Sequence, residues 1–126
     1  MYIGDSMKNT ALRLYNEGYS CSLCIFKAAE IKYNVKVSDD FEKGINLINN
    51  GFGFCGMCGV IISAVIVLGM VLDEYECREC RAKFFDMFFE KYKYTDCGRL
   101  SEGRNDCCHI IEFVCDILEN IISEYK

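Results

Sequence analysis

The chain of 126 residues contains no proline, no low-complexity segment and no long linker. Proline interrupts helices more strongly than any other residue, so its absence favours a mostly helical chain. No shift in composition marks a domain boundary, and the length is sufficient to bury one hydrophobic core. We therefore predict a single cysteine-rich helical domain over residues 1–126.

Basic residues are fewer than acidic residues, 14 against 19, which gives a net charge of -5. A surface of this charge does not favour the phosphate backbone of nucleic acids. The longest apolar run, 60–72, is too short to cross a bilayer, and the first residues lack the basic and apolar regions of an export signal. These absences predict a cytoplasmic protein without a membrane span, whose thiols are kept reduced.

The sequence also lacks a Ser-His-Asp arrangement, a phosphate-binding loop and a Gly-x-Gly-x-x-Gly motif. Its single histidine, His109, falls in a predicted helix, where one histidine is more often an ordinary surface or core residue than a ligand. We therefore leave His109 out of the candidate site. The chemistry of this chain is expected to come from its ten cysteines.

The spacing of the cysteines is more informative than their number. The Cys-x-x-Cys spacing lets one turn offer two thiolates to a metal, or lets one thiol resolve a bond formed by the other. This spacing occurs three times, at Cys21/Cys24, Cys55/Cys58 and Cys77/Cys80. The remaining cysteines are Cys97, Cys107, Cys108 and Cys115.

Hydrophobic periodicity predicts an all-α protein, a compact bundle of five or six helices around a central apolar helix at about 58–72. Capping residues and glycines set the expected limits of the other helices. These helices are predicted from Asp5 or Ser6 to before Gly18, from Cys21 to about Tyr33, from Ser38 to Ile48, from Asp73 to Tyr92, and onward from Asn105 or Asp106. Cys97 is expected in a loop.

The segment Cys55-Gly56-Met57-Cys58-Gly59 is the strongest local signal, because the glycines leave backbone amides free to hydrogen-bond to metal-bound sulfur. Cys21 is expected at a helix N-terminus, where the helix dipole favours a thiolate, and Cys24 lies one turn further on.

The other cysteines give weaker signals. Cys77 and Cys80 continue a stripe of phenylalanines, so core packing explains them as well as a site does. Cys107 and Cys108 cannot point the same way, so we expect at most one of them in any cluster. Cys115 is expected in the core.

Four stretches carry a family resemblance: Gly18-Tyr19-Ser20-Cys21, then Gly51-Phe52-Gly53 leading into the segment from Cys58 to Gly69, then Cys97 with Leu100, then a cysteine before an apolar C-terminal helix. Their order resembles the redox-active protein family C_GCAxxG_C_C, whose signature is four spaced cysteines with a Cys-Gly-Ala-x-x-Gly motif at the second. Val60 and Ser63 stand where that motif has alanine and glycine.

The resemblance assigns the signature cysteines to Cys21, Cys58, Cys97 and one of Cys107 or Cys108, of which Cys107 is followed by the better apolar pattern. It implies a small α-helical protein that binds an iron–sulfur cluster or another prosthetic group, or that cycles its thiols. We expect these four cysteines to converge in space, with Cys24 and Cys55 at the rim.

Two functions follow from these residues, with a third behind them. In the first, the cysteines hold an iron–sulfur cluster or a zinc or iron ion, and the protein acts in electron transfer or in handling a metallocofactor. In the second, they cycle between dithiol and disulfide as a thiol oxidoreductase. The third is a zinc-stapled structural module. The expected partner is a redox protein or a metal centre.

Overall fold

The structure, a computed structural model, describes residues 6–125. Over this range the chain forms seven α-helices and no β-strand, which confirms the predicted all-α class. The helices are α1 (Met7–Asn16), α2 (Cys21–Tyr33), α3 (Asp39–Ile45), α4 (Gly59–Val71), α5 (Glu74–Lys91), α6 (Cys97–Leu100) and α7 (Cys108–Ser123). A 3-10 turn at Asn46–Ile48 and a wide turn at Gly51–Cys55 lead from α3 to α4.

Polar side chains fix where the first helices begin. The hydroxyls of Ser6, Ser20 and Ser38 accept hydrogen bonds from backbone N–H groups in the first turns of α1, α2 and α3, at 3.0, 3.2 and 3.1 Å. Each bond satisfies an amide that has no partner inside its helix. These starts agree with the predicted ones, while the alternative start at Asp5 lies outside the described residues.

Helix α4 is the central element, as the apolar run at 58–72 predicts. It packs against α2, α5 and α7, and most of its side chains are fully buried. A Cβ atom on its first residue, Gly59, would lie 2.7 Å from the carbonyl oxygen of Ile48. Only glycine therefore allows α4 to begin directly against the 3-10 turn, and this contact places Cys58 at the start of the helix.

Helix α7 closes the core by packing on α1, α4 and α5. Its buried residue Cys115 is a core side chain, as expected. On α5, Cys80 is fully buried in line with Phe84 and Phe88, whereas Cys77 is half-buried. The structure therefore places Cys80 in the core. The sequence had left open whether this residue belongs to the core or to a site.

The chain differs from the expected boundaries at three places. Helix α3 ends at Ile45 and a 3-10 turn continues to Ile48. Residues 97–100, expected in a loop, form the short helix α6, because the Asp96 side chain accepts a hydrogen bond of 2.9 Å from the Arg99 N–H. Helix α7 begins at Cys108, later than the expected Asn105 or Asp106.

The apolar segments do not extend to membrane length. Across residues 6–125, none of the helices is both long enough and apolar enough to span a bilayer.

The hydroxyl of Ser63 provides a test of the packing around α4. Ser63 is fully buried and its hydroxyl has no hydrogen-bond partner among the described residues. A buried polar group without a partner costs about 1–3 kcal/mol, so we expect Ser63→Ala to raise the free energy of unfolding by about 1 kcal/mol. Urea denaturation followed by circular dichroism measures this change.

The matched substitution in the same helix is Leu68→Ala, which removes a side chain that is 1% exposed. Large-to-small changes in a core lower the free energy of unfolding by about 2–5 kcal/mol. The two variants should therefore shift stability in opposite directions, and a Ser63→Ala protein less stable than the parent would contradict this description of the core.

Candidate cysteine site

Four cysteines stand at the beginnings of four helices. Cys21 is the first residue of α2, Cys58 precedes α4, Cys97 is the first residue of α6 and Cys107 precedes α7. Cys58, Cys97 and Cys107 line one narrow cavity. The Cys21 side chain joins them through a hydrogen bond with the Cys107 side chain. These four residues, called the cysteine cluster below, are free thiols.

Two backbone hydrogen bonds hold Cys58 beside Cys97. The Cys58 N–H donates to the Thr95 carbonyl at 2.8 Å, and the Cys97 N–H donates to the Gly56 carbonyl at 2.7 Å. They form a single antiparallel bridge between residues 57 and 96. Because backbone bonds of this kind fix the relative position of two segments, the two cysteines meet although they are far apart in the sequence.

The turn before Cys58 is shaped by glycine. The Gly56 N–H donates to the Gly51 carbonyl at 2.8 Å, and Gly51 has a φ of +60°. A Cβ atom on Gly51 would lie 2.4 Å from the Gly56 nitrogen and 2.9 Å from the Cys97 Cβ atom. A side chain at position 51 would therefore push the turn away from Cys97, and glycine is required for this close approach.

Cys107 carries the thiol that ionises most readily in the cluster. Its pKa is lowered from 9.0 to about 7, first by the hydrogen bond from the Cys21 side chain and then by one from the Tyr15 side chain, although burial opposes the shift. The position before α7 also favours a thiolate, because the N-terminal end of a helix carries partial positive charge. The backbone N–H of Cys107 donates to the Tyr15 hydroxyl at 3.2 Å, which anchors this residue to α1.

Cys21 behaves in the opposite way. Its pKa is raised by the hydrogen bond with Cys107, by burial and by the nearby sulfurs of Cys107 and Cys58. The expectation that the start of α2 makes Cys21 the readily ionised thiol is therefore wrong. Of the two thiols, Cys107 therefore loses its proton first, and Cys21 keeps its proton and donates the hydrogen bond to the Cys107 thiolate.

The other two members of the cluster keep their protons more firmly. Burial raises the pKa of Cys58 to about 11. The pKa of Cys97 is also raised, by burial first and then by the neighbouring sulfurs of Cys107 and Cys55. Cys107 is therefore the thiol of the cluster that ionises near neutral pH, while the other three keep their protons.

Three further cysteines were expected near the site, and the structure separates them. Cys24 is fully buried, and its thiol donates to the Cys21 carbonyl at 3.2 Å, so it lies beneath the cluster rather than at the rim. Burial raises the pKa of Cys24 to about 12. Cys55 is exposed and does lie at the rim. Of the doublet, Cys107 lines the cavity that Cys58 and Cys97 share, whereas Cys108 is not part of its lining.

His109, which the sequence gave no reason to include, lines the same cavity as Cys58, Cys97 and Cys107. Its Nε2 atom lies 2.9 Å from the Leu100 carbonyl oxygen. A carbonyl can only accept, so Nε2 carries the proton and Nδ1 keeps its lone pair in the neutral ring. Nδ1 is buried and has no hydrogen-bond partner within residues 6–125.

Tyr15 and His109 are the two site residues that sequence reasoning missed. Tyr15 repeats with the apolar residues of α1 and therefore resembles a core residue, and His109 stands alone in the sequence. Only the packing of α1 and α7 brings them to the cluster, so no signal of spacing could have identified them.

The donor atoms of the cluster are chemically suited to zinc, iron or an iron–sulfur cluster, all of which prefer thiolate ligands. In the part of the chain that the structure describes, no group of three or more His, Cys, Asp or Glu residues is placed to hold a metal ion. The arrangement therefore fits a metal in its chemistry but does not form a preassembled metal site.

The fold and the cluster define a class of small all-α proteins in which cysteines from separate helices share one site. The chain matches the family described as "Putative redox-active protein (C_GCAxxG_C_C)" over residues 19–121, which is more than half of its length. It belongs to this family, and the resemblance carried by its cysteine motifs is confirmed. No curated protein and no solved structure is significantly similar to the chain.

The pKa of Cys107 leads to a test by alkylation. Because only the thiolate reacts with iodoacetamide, labelling of Cys107 should rise with pH around a midpoint of about 7. Replacing Cys21 by alanine removes the hydrogen bond that lowers this pKa, so the midpoint should move up toward 9.0. Tyr15→Phe should cause a smaller shift in the same direction.

Peptide mass mapping in a Cys108→Ser background measures the labelling of Cys107 without interference from its neighbour. Cys115→Ala is the control, because Cys115 is buried like Cys21 but is not among the groups that shift the pKa of Cys107. A midpoint that stays unchanged in the Cys21→Ala variant would contradict the assignment of the thiolate.

Proposed function

We propose that this protein is a thiol–disulfide redox protein, in which Cys107 and Cys21 are oxidised together to a disulfide and reduced again. The observation that supports this function best is the hydrogen bond between the two thiols, which lowers the pKa of Cys107 to about 7. A thiol with a pKa near the ambient pH is both ionised and strongly nucleophilic, so it is the optimal attacking group in disulfide exchange.

The proposed reaction uses two thiols and one external disulfide. The Cys107 thiolate attacks a sulfur of that disulfide, forms a mixed disulfide and releases one thiolate. Cys21 then gives up its proton to solvent and attacks the Cys107 sulfur, which forms the Cys21–Cys107 disulfide and releases the second thiolate. Two electrons pass from the protein to the external disulfide, and the reverse sequence reduces the protein.

The surroundings of Cys107 are compatible with this reaction. Cys107 and Cys97 line an open surface pocket of roughly 230 Å³, together with Tyr15, Arg104 and Asp106. A small reactant can therefore reach the Cys107 sulfur from solvent, whereas Cys21 is buried behind it. The buried partner resolves the mixed disulfide only after the outer thiol has reacted.

The cytoplasm is the compartment in which we place this activity. There, the cellular thiol pool keeps cysteines reduced and would regenerate the dithiol after each oxidation. The net charge of -5 argues against a nucleic-acid partner. We propose that the reactant is a thiol or a disulfide, since these are the groups that exchange with a cysteine pair.

A metal centre is the second candidate, and one observation favours it. All four signature cysteines start or precede helices. Cys58, Cys97 and Cys107 line one cavity together with His109, whose Nδ1 atom has no hydrogen-bond partner among the described residues. Cys21, Cys58, Cys97 and Cys107 would be the ligands of an iron–sulfur cluster or a zinc or iron ion. An iron–sulfur cluster would supply one-electron transfer, whereas zinc would have a structural role.

The two candidates are separated by one preparation of protein purified without oxygen. For a thiol redox protein, treatment with glutathione disulfide should consume two thiols and form a Cys21–Cys107 disulfide, which mass mapping locates. Cys21→Ser and Cys107→Ser should each abolish this bond, because each removes one of its sulfurs. Cys115→Ser, a change elsewhere in the core, should retain it.

Metal analysis of the same preparation tests the second candidate. Bound iron or zinc that is lost in Cys58→Ser but kept in Cys115→Ser would favour a metal centre over thiol cycling. Protein that holds no metal and shows no reversible thiol couple would contradict both functions.

A further inference from the structure

Cys55 is an exposed thiol that the proposed reaction of Cys107 and Cys21 does not use. It lies outside the four signature cysteines and ends the wide turn Gly51–Cys55, where it has a φ of +63°. Such a conformation is uncommon for a residue with a side chain, and the turn holds it in place through the bond from the Gly56 N–H to the Gly51 carbonyl.

The turn presents Cys55 to the start of α6. The Cβ and Sγ atoms of Cys55 lie 3.4 and 3.9 Å from the position that a Cβ atom on Gly98 would occupy. Gly98 directly follows Cys97, and the sulfur of Cys55 is close enough to influence the Cys97 thiol. Although the sequence pairs Cys55 with Cys58, the structure places the Cys55 sulfur against the start of α6, next to Cys97.

The four sulfurs along this path become progressively less accessible. Cys55 is exposed, Cys97 and Cys107 are half-buried, and Cys21 is buried. Cys97 stands in the middle, because it neighbours Cys55 on one side and shares both the narrow cavity and the open pocket with Cys107 on the other. Each thiol thus neighbours the next one along the path from the surface to the interior.

The open pocket limits which reactants can use Cys107 directly. Cys107 is half-buried in a pocket of roughly 230 Å³, whereas Cys55 is exposed, so a disulfide on a folded protein reaches the Cys55 sulfur more easily than the Cys107 sulfur. Phe54 and Met57, which flank Cys55 in the sequence, are 76% and 43% exposed, so the surface around Cys55 carries apolar side chains that another protein can contact.

We propose that Cys55 is the outer thiol of a relay that exchanges with the disulfide of a partner protein and passes the oxidation through Cys97 to the Cys107–Cys21 pair. The relay rests on the proposed function of that pair. It assigns a role to Cys55, which is not a signature cysteine, and it sets the class of partner: a protein with an accessible disulfide.

Each step of the relay is a balanced disulfide exchange. The Cys55 thiolate attacks the partner disulfide, forming a mixed disulfide and releasing one partner thiolate. Cys97 attacks the Cys55 sulfur and releases the second partner thiolate, which leaves a Cys55–Cys97 disulfide. The Cys107 thiolate attacks Cys97 and releases Cys55, and Cys21 attacks Cys107 and releases Cys97. Because Cys107 enters as the thiolate, only the Cys21 proton is released to solvent during these steps, and the partner gains two electrons.

The test compares one protein oxidant with one small oxidant. The reduced protein is mixed either with insulin, which supplies accessible protein disulfides, or with glutathione disulfide, and formation of the Cys21–Cys107 disulfide is followed by quenching and mass mapping. We expect Cys55→Ser to slow oxidation by insulin about tenfold or more and to leave oxidation by glutathione disulfide at the parent rate. Cys77→Ser is the matched control, because this half-buried cysteine lies on α5 and should change neither rate.

A trapping variant provides an independent measurement. In Cys97→Ser the second step is blocked, so a mixed disulfide between Cys55 and an insulin chain should accumulate and be visible on a non-reducing gel. If Cys55→Ser reacts with insulin as fast as the parent, the relay is wrong while the Cys107–Cys21 pair stands. If neither oxidant forms the Cys21–Cys107 disulfide in the parent protein, the proposed function itself fails.

Discussion

The pairing of the backbone at 56–58 with the backbone at 95–97 is the constraint on which the site depends. Its two hydrogen bonds, Cys58 N–H to Thr95 and Cys97 N–H to Gly56, join the start of α4 to the start of α6. Because most residues of α4 are buried in the close-packed core, this pairing ties the cysteine cluster to the central helix of the bundle. Gly51 and Gly59 permit it, since both stand where a Cβ atom would meet backbone.

The distribution of protons in the cluster follows from burial and from one shared hydrogen bond. A buried thiol resists ionisation because the thiolate loses its hydration, and this raises the pKa of Cys58 and Cys97. The pKa of Cys21 is raised first by its hydrogen bond with Cys107 and then by burial. Cys107 differs because Cys21 and Tyr15 hydrogen-bond to its thiolate. A reactive sulfur and its buried partner are thus produced by the same contact, which is why the pair is suited to forming and resolving a disulfide.

Much of the fold follows from local rules that act within a few residues. The serine caps at Ser6, Ser20 and Ser38 and the start of α5 after Asp73 agree with the helix boundaries read from the sequence, because capping bonds form between residues three apart. The apolar run of α4 also identifies the central helix, because such a run is a property of consecutive residues. Helix α6 was not predicted. It has only four residues, which Asp96 caps, and their position depends on the neighbouring turn at Gly51–Cys55.

The sequence by itself determined the all-α class, most of the longer helices and the central apolar segment, because capping and periodicity are local properties of a chain. Its cysteine motifs also identified the family, but they left open whether Cys107 or Cys108 is the fourth signature cysteine. Only the tertiary structure decided which sulfurs are partners. It joined Cys21 to Cys107, set Cys55 beside Cys97, and brought Tyr15 and His109 to the site. The physical reason is that the reactivity of a thiol depends on burial and on contacts made across helices, which sequence spacing does not encode.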